Sequence, residues 1–154
     1  MKEHHYAMTI QWTGNLGSGT SHYKEYSRDH LIQAEGKIPL EGSSDAAFRG
    51  NHHKYNPEEL LLASLSSCHM LWYLHLCADA GIVVTHYEDH PTGTMMEDPQ
   101  GGGQFKEVTL RPKVKLAAAH RIEEAMQLHE KANAYCFIAR SVNFPVLHAP
   151  ICTI

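Results

Sequence analysis

The segment Asn56-Pro57-Glu58-Glu59, followed by a long apolar run to Ala80, constrains this chain more than any other stretch. Asn56 suits a helix cap, Pro57 suits the first helical position, and the two acids suit the positive end of the helix dipole. The run through Leu65, Cys68, Trp72 and Leu74 predicts one helix to Ala80, with Gly81 as its C-terminal stop. Its apolar residues cover most faces, which predicts a central, largely buried helix. A chain of 154 residues, 43% of them hydrophobic, can bury such a helix in one domain spanning 1–154.

Around this helix the pattern favours strands. Tyr6 to Trp12 places Met8, Ile10 and Trp12 on one alternating face, the period of a half-buried strand. Tyr23 to Ser27 and Leu31-Ile32 supply further strand pieces before a loop at residues 41–45. Ile82 to Tyr87 and Gln104 to Leu116 read as an antiparallel pair joined by a mobile segment, Thr92 to Gly103, with its run of three glycines. A second helix is expected over His120 to Ala134, with Ile122, Ala125, Met126 and His129 on one face. Pro145 and Pro150 bracket a final edge strand. Segregated strands and helices define an α+β class.

The formal charge of −4, with no basic block, argues against nucleic acid as a partner. Residues 1–6 lack the pattern of a secretory signal, and the apolar run is interrupted by Ser, His and Cys, so the expectation is a cytoplasmic protein without a membrane partner. Its four cysteines are then free thiols rather than structural bridges. Taken singly, Cys68 and Cys136 both read as core residues, because free cysteine is among the most buried residue types. Cys77 lies about 13.5 Å further along the helix than Cys68, too far for a disulfide between them, and reads as structural. Cys152, two residues from the end, reads as a bystander or an exposed thiol rather than part of a site. No CxxC spacing occurs, which excludes a zinc knuckle or thioredoxin-type motif.

The helix start Asn56-Pro57-Glu58-Glu59-Leu60-Leu61, continuing through Ala63 and Ser64 to Cys68, resembles the corresponding helix of the OsmC/Ohr family of hydroperoxide-reducing proteins. The segment Tyr135-Cys136-Phe137-Ile138-Ala139-Arg140-Ser141-Val142 resembles that family's second cysteine segment. The resemblance implies an OsmC-like fold of antiparallel sheets with a buried central helix, an intertwined homodimer, and active sites at the subunit boundary. It implies that Cys68 attacks the peroxide, that Cys136 resolves the product, that Glu58 is the family's glutamate, and that Arg49 activates the thiolate, with Arg28 as the fallback. The implied substrate is an organic hydroperoxide, the implied reductant an external dithiol (a lipoyl protein, thioredoxin or small thiol), and no cofactor is implied. Phe137 stands where peroxidase branches commonly have proline, and residues 50–55 are unusually His-rich, which sets this chain in a less characterised branch.

Only a thiolate attacks peroxide, so Cys68 in mid-helix needs a cation nearby, and a guanidinium offers permanent charge and several N–H groups. Glu58 and Cys68 are about 15 Å apart along one helix. Either one of them comes from another chain, or the helix is broken between them, or a long arginine bridges the gap. Attack gives a sulfenic acid that Cys136 converts to a disulfide. Leu65, Met70, Leu71, Phe137 and Ile138 are available for an apolar mouth that favours organic hydroperoxides.

Thirteen histidines are many for this length, and His52, His53, His69 and Cys68 could be imagined as metal ligands, although their spacing matches no zinc signature. His75, His86, His90, His120, His129 and His148 are expected on wet or half-buried surfaces. The rival to a peroxidase is a non-catalytic, stress-related dimer of the same fold that binds a ligand or metal.

Overall fold

The computed structural model describes residues 2–154, so Met1 lies outside it. The chain divides into two compact units, Met1–Leu60 and Leu61–Ile154.

In the first unit, β1 (Thr9–Trp12), β2 (His30–Gln33) and β3 (Leu40–Gly42) form an antiparallel sheet in that order. β1 was expected half-buried, yet all four of its residues are exposed. Tyr23 to Ser27 is not a strand but a loop. Arg28 ties it together by donating to the carbonyls of Tyr23 and Tyr26 and lying over both of their rings. The Trp12 indole N–H reaches the Ser27 carbonyl at 2.8 Å. A short 3-10 turn (Ala46–Phe48) ends at Arg49, the one non-glycine residue with positive φ (65°) among those described. Gly50 follows where a Cβ would lie 1.6 Å from the Ser44 carbonyl oxygen, so only glycine fits.

α1 (Pro57–Asp79) begins with a reciprocal cap: Glu59 N–H donates to Asn56 Oδ1 at 2.8 Å, and Asn56 N–H donates to the Glu59 carboxylate at 3.1 Å. It stops at Gly81, whose left-handed φ of 69° lets Ile82 N–H reach the Cys77 carbonyl and Gly81 N–H the Ala78 carbonyl. The expectation of a largely buried helix needs correction, since only Leu65, His69, Tyr73, Leu76 and Cys77 are buried within the chain. Leu71 is 63% exposed. By length and composition α1 would also cross a membrane, a test that core helices pass as well.

The second unit carries two three-stranded sheets, ordered β4-β7-β9 and β5-β6-β8. The strands are β4 (Val84–Asp89), β5 (Thr92–Glu97), β6 (Gly103–Leu110), β7 (Pro112–Leu116), β8 (Val146–His148) and β9 (Ile151–Thr153). The expected strand over Gln104 to Leu116 is split at Arg111, whose N–H is taken by Asp89 Oδ1. β4 pairs antiparallel with the later half, and the earlier half pairs with β5. β5 lies inside the segment read as mobile. It carries no alternating signal because every residue in it is exposed.

The sheets are mixed rather than antiparallel, because β8 pairs parallel with β6, and β9 with β7. The edge strand expected between the prolines is β8, and β9, beyond Pro150, is a second edge strand on the other sheet. Val108 faces Val146 and Val114 faces Cys152, the same offset of 38 residues (108 to 146, 114 to 152). Pro112 and Pro150 mark the matching points where each segment leaves one sheet for the other. α2 (Ile122–Tyr135) packs the buried stripe Ala125, His129 and Ala132, and Ala125 and Ala132 join Tyr73, Leu76, Cys77, Val114 and Leu116 in one core. Leu65, Phe105, Val108 and Leu110 form a second core.

Candidate functional site

Cys68 lies about three turns into α1 and is half-buried; Cys136 immediately follows α2, 1% exposed. The two thiols are neighbours, with Cys68 close enough to act on the Cys136 thiol. Burial and then this contact push the Cys136 thiol up to about 11, while the Ala139 N–H donating to Sγ at 3.4 Å pulls the other way. Cys136 is therefore a protonated thiol at neutral pH, shielded from solvent, beside a more accessible one.

Arg49 stands exposed in the first unit, with no hydrogen bond or ion pair from its guanidinium among the described residues. Arg28, by contrast, is occupied by the two carbonyls and two rings of its own loop. Glu58 Oε2 is buried without a partner among the described residues. Because α1 is unbroken from Pro57 to Asp79, a broken helix between Glu58 and Cys68 is excluded, and their separation stays about 15 Å.

Trp72, one helical turn beyond Cys68, meets the rings flanking Cys136: Tyr135 at 5.3 Å and Phe137 at 5.8 Å between centroids, both edge-on. Phe137 is 65% exposed and Tyr135 is also open, so the three rings form a collar beside the thiols. The spacing of Trp72 from Cys68 was the available signal for this residue. Of the expected apolar mouth, Leu65 is instead fully buried in the second core and Ile138 packs against it. Leu71 and Phe137 are exposed, and Met70 is half-buried.

Two histidines sit deep in the same unit. His69 Nε2 and His129 Nδ1 are hydrogen-bonded at 3.0 Å, and both side chains are fully buried. The expectation that His129 lies on a wet or half-buried surface is thus overturned, since it takes a core position on the inner stripe of α2. Tyr73 stacks on it, and Cys152 Sγ lies 4.0 Å from its Nε2 and 3.6 Å from the Tyr73 hydroxyl. Cys152 is therefore a packed, half-buried residue rather than an exposed thiol. His52 and His53 are exposed, their rings 3.9 Å apart between centroids and tilted by 41°. Among the described residues no three His, Cys, Asp or Glu side chains converge in an arrangement able to hold a metal ion.

The α+β scaffold thus sets two free cysteines side by side, one just past the end of a helix and the other within a second helix. The family described as OsmC-like protein matches residues 50–148, which include both thiols, and the chain belongs to that family. A Vibrio cholerae OsmC-like protein of unknown function is similar at 28% identity with a TM-score of 0.85, covering 98% of this chain and 100% of its own. An organic hydroperoxide resistance protein from Elizabethkingia anophelis superposes at TM-score 0.69 with 20% identity, over 99% of both chains. One from Legionella pneumophila superposes at 0.65 with 15% identity, over 99% of this chain and 100% of its own. At those identities the likeness is one of fold. No curated protein matches the chain.

Proposed function

We propose that this protein is a cytoplasmic thiol-dependent peroxidase that reduces organic hydroperoxides. The observation that carries the reading is the Cys68–Cys136 neighbourhood, with the accessible thiol on α1 and the buried, protonated one behind it. Two relatives of the same fold bear the name of organic hydroperoxide resistance proteins, which supports the same class.

In this reading the Cys68 thiolate attacks the outer oxygen of ROOH, the O–O bond breaks, and the alkoxide takes a proton to leave as alcohol. Cys136 then attacks the sulfenic sulfur, releasing water and forming the Cys68–Cys136 disulfide. An external dithiol reduces that bond and is itself oxidised. Arg49 supplies the positive charge that favours the Cys68 thiolate, and Glu58 holds the guanidinium. The length of helix between Glu58 and Cys68 favours an intertwined homodimer in which these two groups act on Cys68 of the partner subunit. The exposed apolar residues of β1 and Leu71 of α1, uncovered in the single chain, support the same assembly. The aromatic collar suits the tail of an organic hydroperoxide better than hydrogen peroxide.

The test is stoichiometric cumene hydroperoxide beside hydrogen peroxide, with disulfides mapped by mass spectrometry in wild type, Cys68→Ser and Cys136→Ser. Rapid formation of the Cys68–Cys136 bond, faster with the organic peroxide and absent in Cys68→Ser, is the expected result. Thiols that stay reduced while peroxide persists would replace this reading with a non-catalytic binding dimer.

A further inference from the structure

A short stretch of α1, residues 68 to 73, touches the second half of α2 and its exit. Cys68 meets Cys136, His69 and Tyr73 meet His129, and Trp72 meets Tyr135 and Phe137. Contacts one residue apart on α1 and seven apart on α2 mean that the helices cross steeply instead of running side by side. A steep crossing has few points of contact, so each one controls how α2 is turned about its axis. The inner stripe of α2 is Ala125, His129 and Ala132, continued by Cys136. The alanines are too small to lock that rotation. Among the described residues, the only side-chain hydrogen bond between α1 and α2 is His69–His129.

Leucines would fill this seam without polar atoms to satisfy. Instead His69 keeps its Nδ1 buried and unpartnered, which is unfavourable for stability. Such a group is retained for geometry rather than for stability.

We infer that the His69–His129 bond is the pin that holds Cys136 against Cys68, making both histidines positioning residues for disulfide formation. His129 lies two turns before Cys136 on the same face, so turning α2 about its axis moves both together. The groups facing the pair are Asp89 of β4, His148 of β8, Cys152 of β9 and Tyr73 of α1. None of them replaces the bond between the two helices. The inference rests on the proposed pairing of the two thiols but not on peroxide as the oxidant.

The experiment therefore uses oxidised glutathione on the reduced protein at fixed pH. The Cys68 thiolate displaces one glutathione thiolate to give a mixed disulfide. Cys136 then attacks the Cys68 sulfur, forming the internal bond and expelling the second glutathione thiolate. Closure is followed by mass spectrometry. His129→Leu is expected to slow closure by roughly tenfold to a hundredfold, the range a displacement of about 1 Å produces, and to leave Cys68 capped with glutathione. His129→Asn, whose side chain can still meet His69 Nε2, is expected to restore most of the rate. The pair His69→Leu/His129→Leu removes both polar partners and guards against a variant that merely fails to fold. It is expected to be at least as stable as His129→Leu and still slow in closure.

Wild-type closure rates in His129→Leu would overturn the inference. So would a double variant that regains rate together with stability. Failure of the wild type to close would also overturn it. Peroxide consumption measured separately in wild type and Cys136→Ser then says whether the peroxidase reading falls as well.

Discussion

The Tyr73 ring lies flat against the His129 imidazole, centroids 3.8 Å apart and planes 12° from parallel, which closes that histidine off from water. Burial first, and the neighbouring histidines after it, hold His69 at about 4 and His129 at about 3, against an ordinary 6.5.

Acid should therefore unfold this protein early. An unfolded chain takes up protons near pH 6.5 that the folded chain refuses, so the histidine contribution is whole above about 6.5 and is lost as pH falls toward about 4. For His69 alone the loss by that point is on the order of 3 kcal/mol. Asp29, held below its ordinary 3.8 chiefly by its hydrogen bond to Lys54, contributes stability that is lost only at lower pH, so the two windows separate. Urea midpoints at pH 7, 5.5 and 4.5 should fall in wild type and stay nearly level in His69→Leu/His129→Leu.

Gly50→Ala and Gly102→Ala should behave oppositely. An alanine at 50 drives its methyl into the Ser44 carbonyl, while at 102 nothing lies within 4 Å. Thermal melts should show a loss of several degrees at position 50, and a change equivalent to less than about 0.5 kcal/mol at position 102.

Arg49 offers a case where stability and activity part. Its φ of 65° suits glycine better than any other residue, so Arg49→Gly should raise the melting temperature slightly. If the guanidinium favours the Cys68 thiolate, the same substitution should slow the reaction of Cys68 with hydroperoxide by roughly tenfold or more. Arg28→Ala should instead destabilise the Tyr23–Tyr26 loop and leave the rate of the folded protein unchanged. Stopped-flow peroxide consumption beside thermal melts reads both.

Trp72→Ala should change selectivity more than rate. Losing the edge-on contacts to Tyr135 and Phe137 opens the collar, so kcat/KM for cumene hydroperoxide should fall by roughly tenfold while that for hydrogen peroxide barely moves. Parallel loss on both peroxides would mean that the collar only supports the thiols.

Much of this was legible from local chemistry. Asn56, Pro57 and Gly81 declare the ends of α1 because caps and stops act within a turn of the chain. The Cys68 and Cys136 segments were legible through family resemblance. What stayed hidden depended on distant partners. Nothing in Thr94-Met95-Met96 marks a strand, since β5 is specified by its neighbour β6 rather than by burial of one face. His129 was read as wet or half-buried, although on the face of Ile122 and Ala125, because its full burial comes from His69, sixty positions earlier, and from Tyr73 and Cys152. His129 and Cys136 are seven positions apart, the one local hint that both lie on one face.

The constant offset of the two parallel pairings bears on how this molecule folds. Once Val108 has found Val146, the loop between the segments is already closed, and Val114 needs only to zip onto Cys152 a few residues further along. The chain meets one large loop-closure entropy for two sheets, where independent pairings would each meet their own. A slip of one residue would be equally shared: it would displace His148 and Cys152 in the same step and turn both edge strands to the wrong face. The two sheets thus nucleate, or misregister, as a single event.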